Sequence, residues 1–318
     1  MLSYTPTPIQ EIKSSLIEKA EVNVFVKRED LNHPYVSGNK WWKLKYNLAK
    51  AKEEGLHTLL TFGGAYSNHI YATAAAATEL GFKSIGIVRG EEITELSKTL
   101  RFAQDEGMQL HFVSREVYRQ KMEAEFVRKL KNQFGDFYLI PEGGTNALAI
   151  QGVELFAQQL KAEADFDYVC CACGTGGTLA GIIKSMPEKK VIGFSSLKGD
   201  FLNEEVMRLL REKIEGEDAV SEEVRRKEGE KVRRKEGEEV RKENWEVITD
   251  YHFGGYAKHT PQLLSFIKNF EKEFSIPLEQ VYTGKLFFGL FDLIQKGYFP
   301  KGSKILALHT GGLQGKLE

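Results

Sequence analysis

Segments typical of β-strands alternate with segments typical of α-helices along most of this chain. Apolar runs such as Thr58–Phe62 and Ser84–Val88 are short, and helical patterns follow them after glycines or polar turns. Strands that are separated by helices are typical of parallel sheets, because each helix returns the chain to the same edge. The pattern therefore predicts an α/β protein with mainly parallel sheets.

The individual elements can be placed from the same pattern. The predicted strands are Glu21–Val26, Thr58–Phe62, Ser84–Val88, Gln109–Val113, Phe137–Ile140, Asp167–Cys171, Val191–Ser195 and Lys304–Leu308. The predicted helices are Trp42–Glu54, an alanine-rich helix from about Tyr66 to Leu80, Leu96–Asp105, Glu116–Phe134, Ala147–Ala162 and Leu179–Lys184.

Length and charge limit the class of protein. The 318 residues suffice for two domains or one large one, and the formal net charge is −1. A balance this close to neutral does not favour nucleic acid or a membrane surface as the main partner. We see no signal peptide in residues 1–6 and no apolar stretch near the roughly 18 residues of a membrane span. We expect a soluble globular protein.

The three cysteines lie in one short run, Cys170, Cys171 and Cys173. Their odd number and tight spacing do not fit a disulfide framework, which indicates a reducing, cytoplasmic location. A metal site is the alternative, but no second Cys/His pair with ligand spacing accompanies the run. We therefore interpret it as a buried strand that enters a loop, and we predict no metal.

The segment 221–243 differs from the rest in composition. Val-Arg-Arg-Lys-Glu-Gly-Glu occurs at 224–230 and again at 232–238. A period of eight residues drifts by about 80° per repeat around an α-helix, so the valines form no straight apolar stripe. We interpret the segment as a solvated, mixed-charge insertion outside the chemistry; a charged interaction arm is the alternative.

Lys40 lies where a strand-like segment gives way to a helix. Pro34 and Gly38 break regular structure before it, and the helical pattern starts at Trp41. A lysine at such a junction can be aimed by its scaffold and can act as a Schiff-base nucleophile if it is kept partly unprotonated. Taken alone, an ordinary solvated lysine is the alternative interpretation.

Two further strand-to-helix turns have residues that suit anions. Gly174–Thr178 (Gly-Thr-Gly-Gly-Thr) combines glycines that allow close approach with hydroxyl and N–H donors at a helix start. It lacks the ending of a P-loop and the dinucleotide spacing, so a single phosphate suits it better. Ser67, Asn68 and His69 follow two glycines and form either a helix N-cap or a clamp for a carboxylate.

These motifs together resemble the fold-type II pyridoxal-phosphate enzymes, in the group of D-cysteine desulfhydrase and 1-aminocyclopropane-1-carboxylate deaminase. The resemblance covers nearly the whole chain apart from the 221–243 repeat. The motifs that carry it are Thr7-Pro8-Ile9-Gln10, Lys27-Arg28-Glu29-Asp30, Gly38-Asn39-Lys40, Lys43-Leu44, Gly63-Gly64, Ser67-Asn68, Thr175-Gly176, Tyr282-Thr283-Gly284-Lys285 and Gly311-Gly312.

The resemblance implies the cofactor, pyridoxal 5'-phosphate, and its contacts. Lys40 would form the Schiff base with it, Lys43 would help to hold the phosphate, and Asn68 would bond the ring hydroxyl. The phosphate would lie in the loop formed by Thr175, Gly176, Gly177 and Thr178.

The resemblance also implies the substrate contacts. Ser67, Asn68 and His69 would face the carboxylate of a small amino acid, although the deaminases usually have glutamine in place of His69. Tyr256 and Tyr282 would line the substrate pocket.

Two positions bear on the reaction. The deaminases have Glu directly after the second tyrosine and Leu before the terminal Gly-Gly, whereas this chain has Thr283 and Thr310. A hydroxyl that faces the ring nitrogen is a weaker aid to electron withdrawal than an acid. It still suffices for a thiol leaving group with a pKa near ~8.5. We therefore expect β-elimination from D-cysteine, with Lys40 or Ser67 as the base.

The alternatives are ring opening by a deaminase, a β-replacing synthase or racemase, and a non-catalytic ligand-sensing homologue. The resemblance implies two domains with open twisted, mainly parallel sheets and helices on both faces, as in the tryptophan synthase β-subunit. A large domain would comprise 1–44 and 147–318, and a small domain would comprise 45–146. The cofactor would lie in the cleft between them. The resemblance further implies a homodimer.

Overall fold

The computed structural model describes residues 2–91, 95–211 and 244–317, so the 221–243 repeat lies outside the described residues. The strands are β1 (Ile9–Ile12), β2 (Asn23–Lys27), β3 (Thr58–Gly63), β4 (Lys83–Arg89), β5 (Gln109–Val113), β6 (Tyr138–Ile140), β7 (Tyr168–Cys173), β8 (Lys190–Ser195), β9 (Trp245–Ile248) and β10 (Lys304–Leu308). The helices are α1 (Ser15–Ala20), α2 (Asn39–Glu53), α3 (Asn68–Leu80), α4 (Lys98–Asp105), α5 (Arg115–Arg119), α6 (Ala124–Phe134), α7 (Ala147–Glu163), α8 (Gly177–Ser185), α9 (Phe201–Arg211), α10 (Pro261–Phe274) and α11 (Thr283–Gln295).

The strands form two sheets. Six strands in the order β1-β2-β10-β7-β8-β9 make the larger sheet, in which only the β1–β2 pair is antiparallel. Four parallel strands in the order β5-β4-β3-β6 make the smaller sheet. The α/β class with mainly parallel sheets is confirmed.

Helices cover both faces of each sheet, as predicted. In β7 successive side chains alternate between two cores: Val169 and Cys171 pack with the core that contains α2, α7 and α8. Cys170 packs with the core that contains α10 and α11. This alternation follows from the two-residue period of a strand that is buried on both faces.

The sheet assignment parallels the expected division of the chain. The strands of the smaller sheet all lie within 45–146, and those of the larger sheet lie within 1–44 and 147–318. One apolar core nevertheless includes Leu59 and Ile140 of the smaller sheet together with Val169 and Leu306 of the larger one. The division into two domains stays a prediction.

The three cysteines lie in β7 as free, buried thiols, so the interpretation as a buried strand is confirmed. Within the described ranges, no group of three or more His, Cys, Asp or Glu side chains is arranged to hold a metal ion. No helix in those ranges is both long and apolar enough to cross a membrane.

One predicted helix is wrong and several elements were missed. The predicted helix Glu116–Phe134 is broken into α5 and α6, because the backbone is extended at Glu123, where ψ is 136°. In the break, Lys121 lies 3.3 Å from a carboxylate oxygen of Glu142. The missed elements are β1, β9, α1, α9, α10 and α11.

Candidate active site

Most of the candidate residues line one cavity of about 1180 Å³ at the carboxyl ends of the parallel strands. All of them except Tyr282 lie in segments that follow β2, β3, β7, β9 or β10, and the carboxyl ends of parallel strands meet at one edge of a sheet; Tyr282 directly precedes α11. The cavity is lined by these predicted residues: Lys40, Lys43, Ser67, Asn68, His69, Thr175, Gly176, Gly177, Thr178, Tyr256, Tyr282 and Thr310. Thr283 is absent from this lining.

Lys40 lies in the first turn of α2. Gly38 precedes this turn with φ = +69°, and a Cβ there would lie 1.9 Å from the carbonyl oxygen of Thr310. Glycine is therefore required to bring the helix start against the loop after β10. Lys40 donates to Asn39 Oδ1 at 2.9 Å, and burial lowers the pKa of Lys40 to about 8.

Lys43 follows on the same face of α2 and is almost completely buried. Its ammonium donates to the carbonyl oxygen of Gly143 at 2.9 Å and to the hydroxyls of Thr145 and Thr175 at 2.8 and 3.4 Å. Burial, and then the charge of Lys40, hold its pKa well below the ordinary value. A cation that meets only neutral oxygens in a buried place indicates a site for an anion.

The loop from Thr175 to Thr178 closes this site. Gly176 has φ = +78°, and a Cβ on Gly177 would lie 2.9 Å from Thr145 Cγ2 and 3.1 Å from Lys43 Nζ. The backbone of Gly177, the lysine and the threonine hydroxyls thus surround one small space at the N-terminus of α8. A phosphate group fits this combination of N–H groups, hydroxyls and an ammonium.

Ser67 and Asn68 begin α3 on the opposite side of the cavity. Ser67 Oγ accepts from the N–H of Ile70 at 3.2 Å, so the residue is the N-cap and lines the cavity as well. Asn68 Oδ1 accepts from Gln314 at 2.5 Å, and its Nδ2 lies against Gly312, where a Cβ would be 2.3 Å away. Asn68 therefore keeps an N–H donor at the loop after β10.

His69 is placed differently from the expectation. Thr61 Oγ1 lies 2.8 Å from both His69 Nε2 and the carbonyl oxygen of Ile140. The threonine proton goes to the carbonyl, so His69 Nε2–H must donate to Thr61, and Nδ1 carries a lone pair. Burial lowers the pKa of His69 well below its usual value. The neutral ring therefore has no N–H for a substrate carboxylate, which leaves Ser67 and Asn68 for that expected contact.

Tyr256 and Tyr282 pack edge to face, with ring centroids 6.2 Å apart. Burial raises the pKa of Tyr256 to about 12 and raises that of Tyr282 further above its ordinary value. Both are therefore neutral hydroxyls near pH 7 that can donate a hydrogen bond into the cavity.

Thr283 does not reach the cavity. Its side chain is fully buried, and its hydroxyl donates to Glu279 Oε1 at 3.0 Å. The same carboxylate accepts from the N–H groups of Val281, Tyr282 and Thr283 at the start of α11. The expected contact of Thr283 with the ring nitrogen is corrected accordingly, and Thr310 is the hydroxyl that lines the cavity.

Several residues of the site were not assigned from the sequence. Asn39 donates to Thr178 Oγ1 at 2.8 Å, and Thr145 and Gly143 hold Lys43. The signal for Gly143 and Thr145 was the Gly-Gly-Thr-Asn run between a strand and a helix, which repeats the pattern of the phosphate loop. No local pattern marks Gln314.

Comparison with known proteins agrees with this geometry. The family described as "Pyridoxal-phosphate dependent enzyme" matches residues 1–311. The chain belongs to this family.

As a pyridoxal-phosphate-dependent enzyme, the chain has close relatives in sequence and structure. A Pyrococcus abyssi protein that carries the provisional name 1-aminocyclopropane-1-carboxylate deaminase is 32% identical over 97% of this chain and 90% of its own length. The mitochondrial bifunctional D-cysteine desulfhydrase/1-aminocyclopropane-1-carboxylate deaminase of Arabidopsis thaliana is 30% identical over 99% of this chain and 78% of that protein. The crystal structure of a homologue of 1-aminocyclopropane-1-carboxylate deaminase has a TM-score of 0.79 and 30% identity, and it covers 99% of this chain and 92% of that one.

The chain is thus a fold-type II pyridoxal-phosphate enzyme of the lyase and deaminase type, and the anion site described above fits the cofactor phosphate. When bound, pyridoxal phosphate withdraws electrons from Cα of an amino acid. Lys43, Thr145 and the Thr175–Thr178 loop would hold the phosphate, and Lys40 is the amine available for the covalent link.

Proposed function

We propose that the protein catalyses β-elimination from D-cysteine, which yields pyruvate, ammonia and sulfide. The observation that carries the choice of substrate is the pair of threonines at the positions where the deaminases have Glu and Leu. Thr310 presents a hydroxyl to the cavity, and Thr283 is bonded to Glu279 outside it. Neither supplies a carboxylic acid, so a good leaving group such as a thiol is favoured over a carbanion.

Each residue of the site has a separate role in the proposed reaction. Ser67 and Asn68 hold the substrate carboxylate at the N-terminus of α3, where the helix dipole favours a negative charge. The base that receives the Cα proton is either the Lys40 amine or the Ser67 oxygen, which in that case passes its own proton to a neighbouring group. The Tyr256 and Tyr282 hydroxyls orient the substrate side chain or donate a proton to the departing thiolate.

Ring opening of 1-aminocyclopropane-1-carboxylate is the second candidate, because the relative from Pyrococcus abyssi carries that name at 32% identity. The two reactions give different products, pyruvate and sulfide in one case and 2-oxobutanoate in the other. Addition of a second nucleophile tests for a β-replacing synthase, which would incorporate it into the product. The chirality of the recovered amino acid tests for a racemase.

The test uses purified holoenzyme with D-cysteine, L-cysteine and the cyclopropane acid, and it follows the visible absorption of the cofactor together with each product. We expect sulfide and pyruvate in equal amounts from D-cysteine. Lys40→Ala, in which the covalent amine is lost, should reduce the rate by at least ~10³-fold. A visible spectrum that none of the three compounds changes, or 2-oxobutanoate without sulfide, contradicts the proposal.

A cytoplasmic location and a homodimer complete the proposal. Three free, buried thiols support a reducing compartment. The homodimer follows from the family resemblance, and light scattering after size exclusion measures it directly; a mass near the 36.0 kDa of one chain would refute it.

A further inference from the structure

The cavity contains a cation that neither the cofactor nor the proposed reaction uses. Arg89 is the last residue of β4, and its side chain lines the cavity. A Cβ on Gly64 would lie 3.6 Å from Arg89 Nη2 and 3.8 Å from Tyr256 Cε1. The guanidinium and the tyrosine ring therefore both lie close to the backbone of Gly64, which itself lines the cavity.

The other cations of the cavity are accounted for. The five that line it are Lys40, Lys43, Arg89, Lys121 and Arg208. Lys121 lies 3.3 Å from Glu142, and Arg208 lies 2.8 Å from Glu205. The two lysines of α2 serve the cofactor. Within the described part of the chain, Arg89 forms no ion pair.

One aromatic ring lies within cation–π distance of the guanidinium. Arg89 Cζ lies 5.6 Å from the centroid of the buried Tyr118 ring, which is a cation–π distance. The positive charge of Arg89 also lowers the pKa of Tyr256, although the larger effect of burial raises it. The guanidinium of this exposed residue thus lies near Tyr118 and Gly64, where Arg89 lines the cavity.

The position of Arg89 separates it from the expected carboxylate contacts. Ser67 and Asn68 begin α3, whereas Arg89 ends β4 and approaches Gly64, the first residue of the turn that leads to Ser67. If the α-carboxylate lies at the start of α3, the substrate side chain extends toward the tyrosines. A second negative charge on that side chain would meet the guanidinium.

We propose that Arg89 recognises a negatively charged β-substituent of the substrate, namely a thiolate, sulfonate or carboxylate. The inference rests on the proposed function, because the expected orientation of the amino acid defines which end of the cavity receives the side chain. Arginine forms charge-assisted hydrogen bonds with all three groups, and with a carboxylate or a sulfonate these can be bidentate.

Binding of two nearly isosteric amino acids tests the proposal without turnover. Calorimetry on the holoenzyme compares D-aspartate, whose β-substituent is anionic, with D-asparagine, whose amide is neutral. We expect D-aspartate to bind at least ~10-fold more tightly to the wild type. Arg89→Met should abolish this preference, and Arg89→Lys should retain part of it.

The matched control is Arg101→Met, which removes one exposed positive charge from α4 away from the cavity and should leave the preference intact. Equal affinity of the two amino acids for the wild type overturns the proposal. An equal loss of affinity for both in Arg89→Met does so too, because the guanidinium would then act on the shared carboxylate.

Turnover identifies which anion is used. Pyruvate release is compared for D-cysteine, the D-enantiomer of its sulfonate analogue and β-chloro-D-alanine, whose substituent is neutral. Arg89→Met should lower kcat/KM by ~10-fold or more for the anionic substrates that are used, and by less than ~3-fold for the chloride. A similar loss for all three overturns the assignment. An intact preference for aspartate without turnover of D-cysteine supports the Arg89 site and refutes the proposed substrate.

Discussion

The two lysines of α2 show how burial assigns different chemistry to the same residue type. Lys40 and Lys43 are three residues apart, so both point into the cavity from one helix face. Burial lowers the pKa of both, and the positive charge of Lys40 lowers that of Lys43 further. Lys43 alone is surrounded by oxygens that form an anion site, which leaves Lys40 as the free nucleophile.

The lowered pKa of Lys40 sets the expected pH dependence of cofactor binding. Only the unprotonated amine attacks an aldehyde, and the pKa of Lys40 is lowered from 10.5 to about 8. The rate at which the apoprotein takes up pyridoxal phosphate should therefore rise with pH up to about 8 and then level off. Stopped-flow absorbance measures it. A rate that continues to rise toward pH 10 would mean an unshifted lysine.

We expect the ammonium group of Lys43 to increase the affinity of the protein for the cofactor phosphate. In Lys43→Met the anion site loses its only ammonium donor to the phosphate, so we expect the Kd of the apoprotein for pyridoxal phosphate to rise by ~10- to 100-fold. Pyridoxal without phosphate should bind both proteins similarly. Calorimetry measures both ligands. Lys50→Met, an exposed change on the same helix, is the control and should have the wild-type Kd.

At the scale of elements, the loop between β9 and α10 depends on a buried lysine of α11. Lys285 is fully buried and donates to the carbonyl oxygens of Gly255, His252 and Ser196 at 2.8, 2.9 and 3.4 Å. The loop includes Phe253 and Ala257 with positive φ, a conformation that side chains rarely adopt. The ammonium thus holds the turn that presents Tyr256.

Lys285→Met should therefore affect catalysis through the position of Tyr256. The variant loses the lysine's hydrogen bonds to three carbonyls, of which those of His252 and Gly255 keep one backbone N–H donor each, and we expect kcat/KM to fall by ~10-fold or more with a lower Tm. Assays on the folded fraction, with Lys268→Met on α10 as an exposed control, separate the two effects. A lower Tm with unchanged kcat/KM would mean that the lysine stabilises the fold only.

The helix α11, which the sequence analysis missed, contains two glycines. Glycine usually weakens a helix, yet Gly284 and Gly289 lie inside α11. A Cβ on Gly284 would be 2.5 Å from Ile267 Cδ1, and one on Gly289 would be 2.7 Å from Tyr251. These glycines permit close packing, a requirement that only the neighbouring elements disclose.

At the scale of the whole molecule, the site is assembled from both sheets. Lys40 and the Thr175–Thr178 loop belong to the part that carries the larger sheet, and Asn68 follows β3 of the smaller one. A cofactor that contacts all three links the two parts. Its binding energy therefore adds to the stability of the folded protein.

Removal of the cofactor should consequently lower Tm. For a cofactor concentration near 1,000 Kd we expect the apoprotein to melt roughly 5 to 15 °C below the holoenzyme. Calorimetric scans of the two forms measure the difference, and Lys40→Ala with added pyridoxal phosphate should lie between them. Equal melting temperatures would contradict a cofactor that bridges the two sheets.

The sequence by itself determined the α/β class and the strands β2 to β8 and β10, because each depends on local periodicity. The motifs around Lys40 and in Gly174–Thr178 predicted a phosphate site, but Gly143 and Thr145 were not assigned to it. Tertiary structure alone decided that His69 is neutral against Thr61, that Thr283 binds Glu279 outside the cavity and that Arg89 lies beside Tyr118. These contacts join residues from different elements. Their hydrogen bonds, burial and pKa shifts arise only when the sheets and helices are packed together.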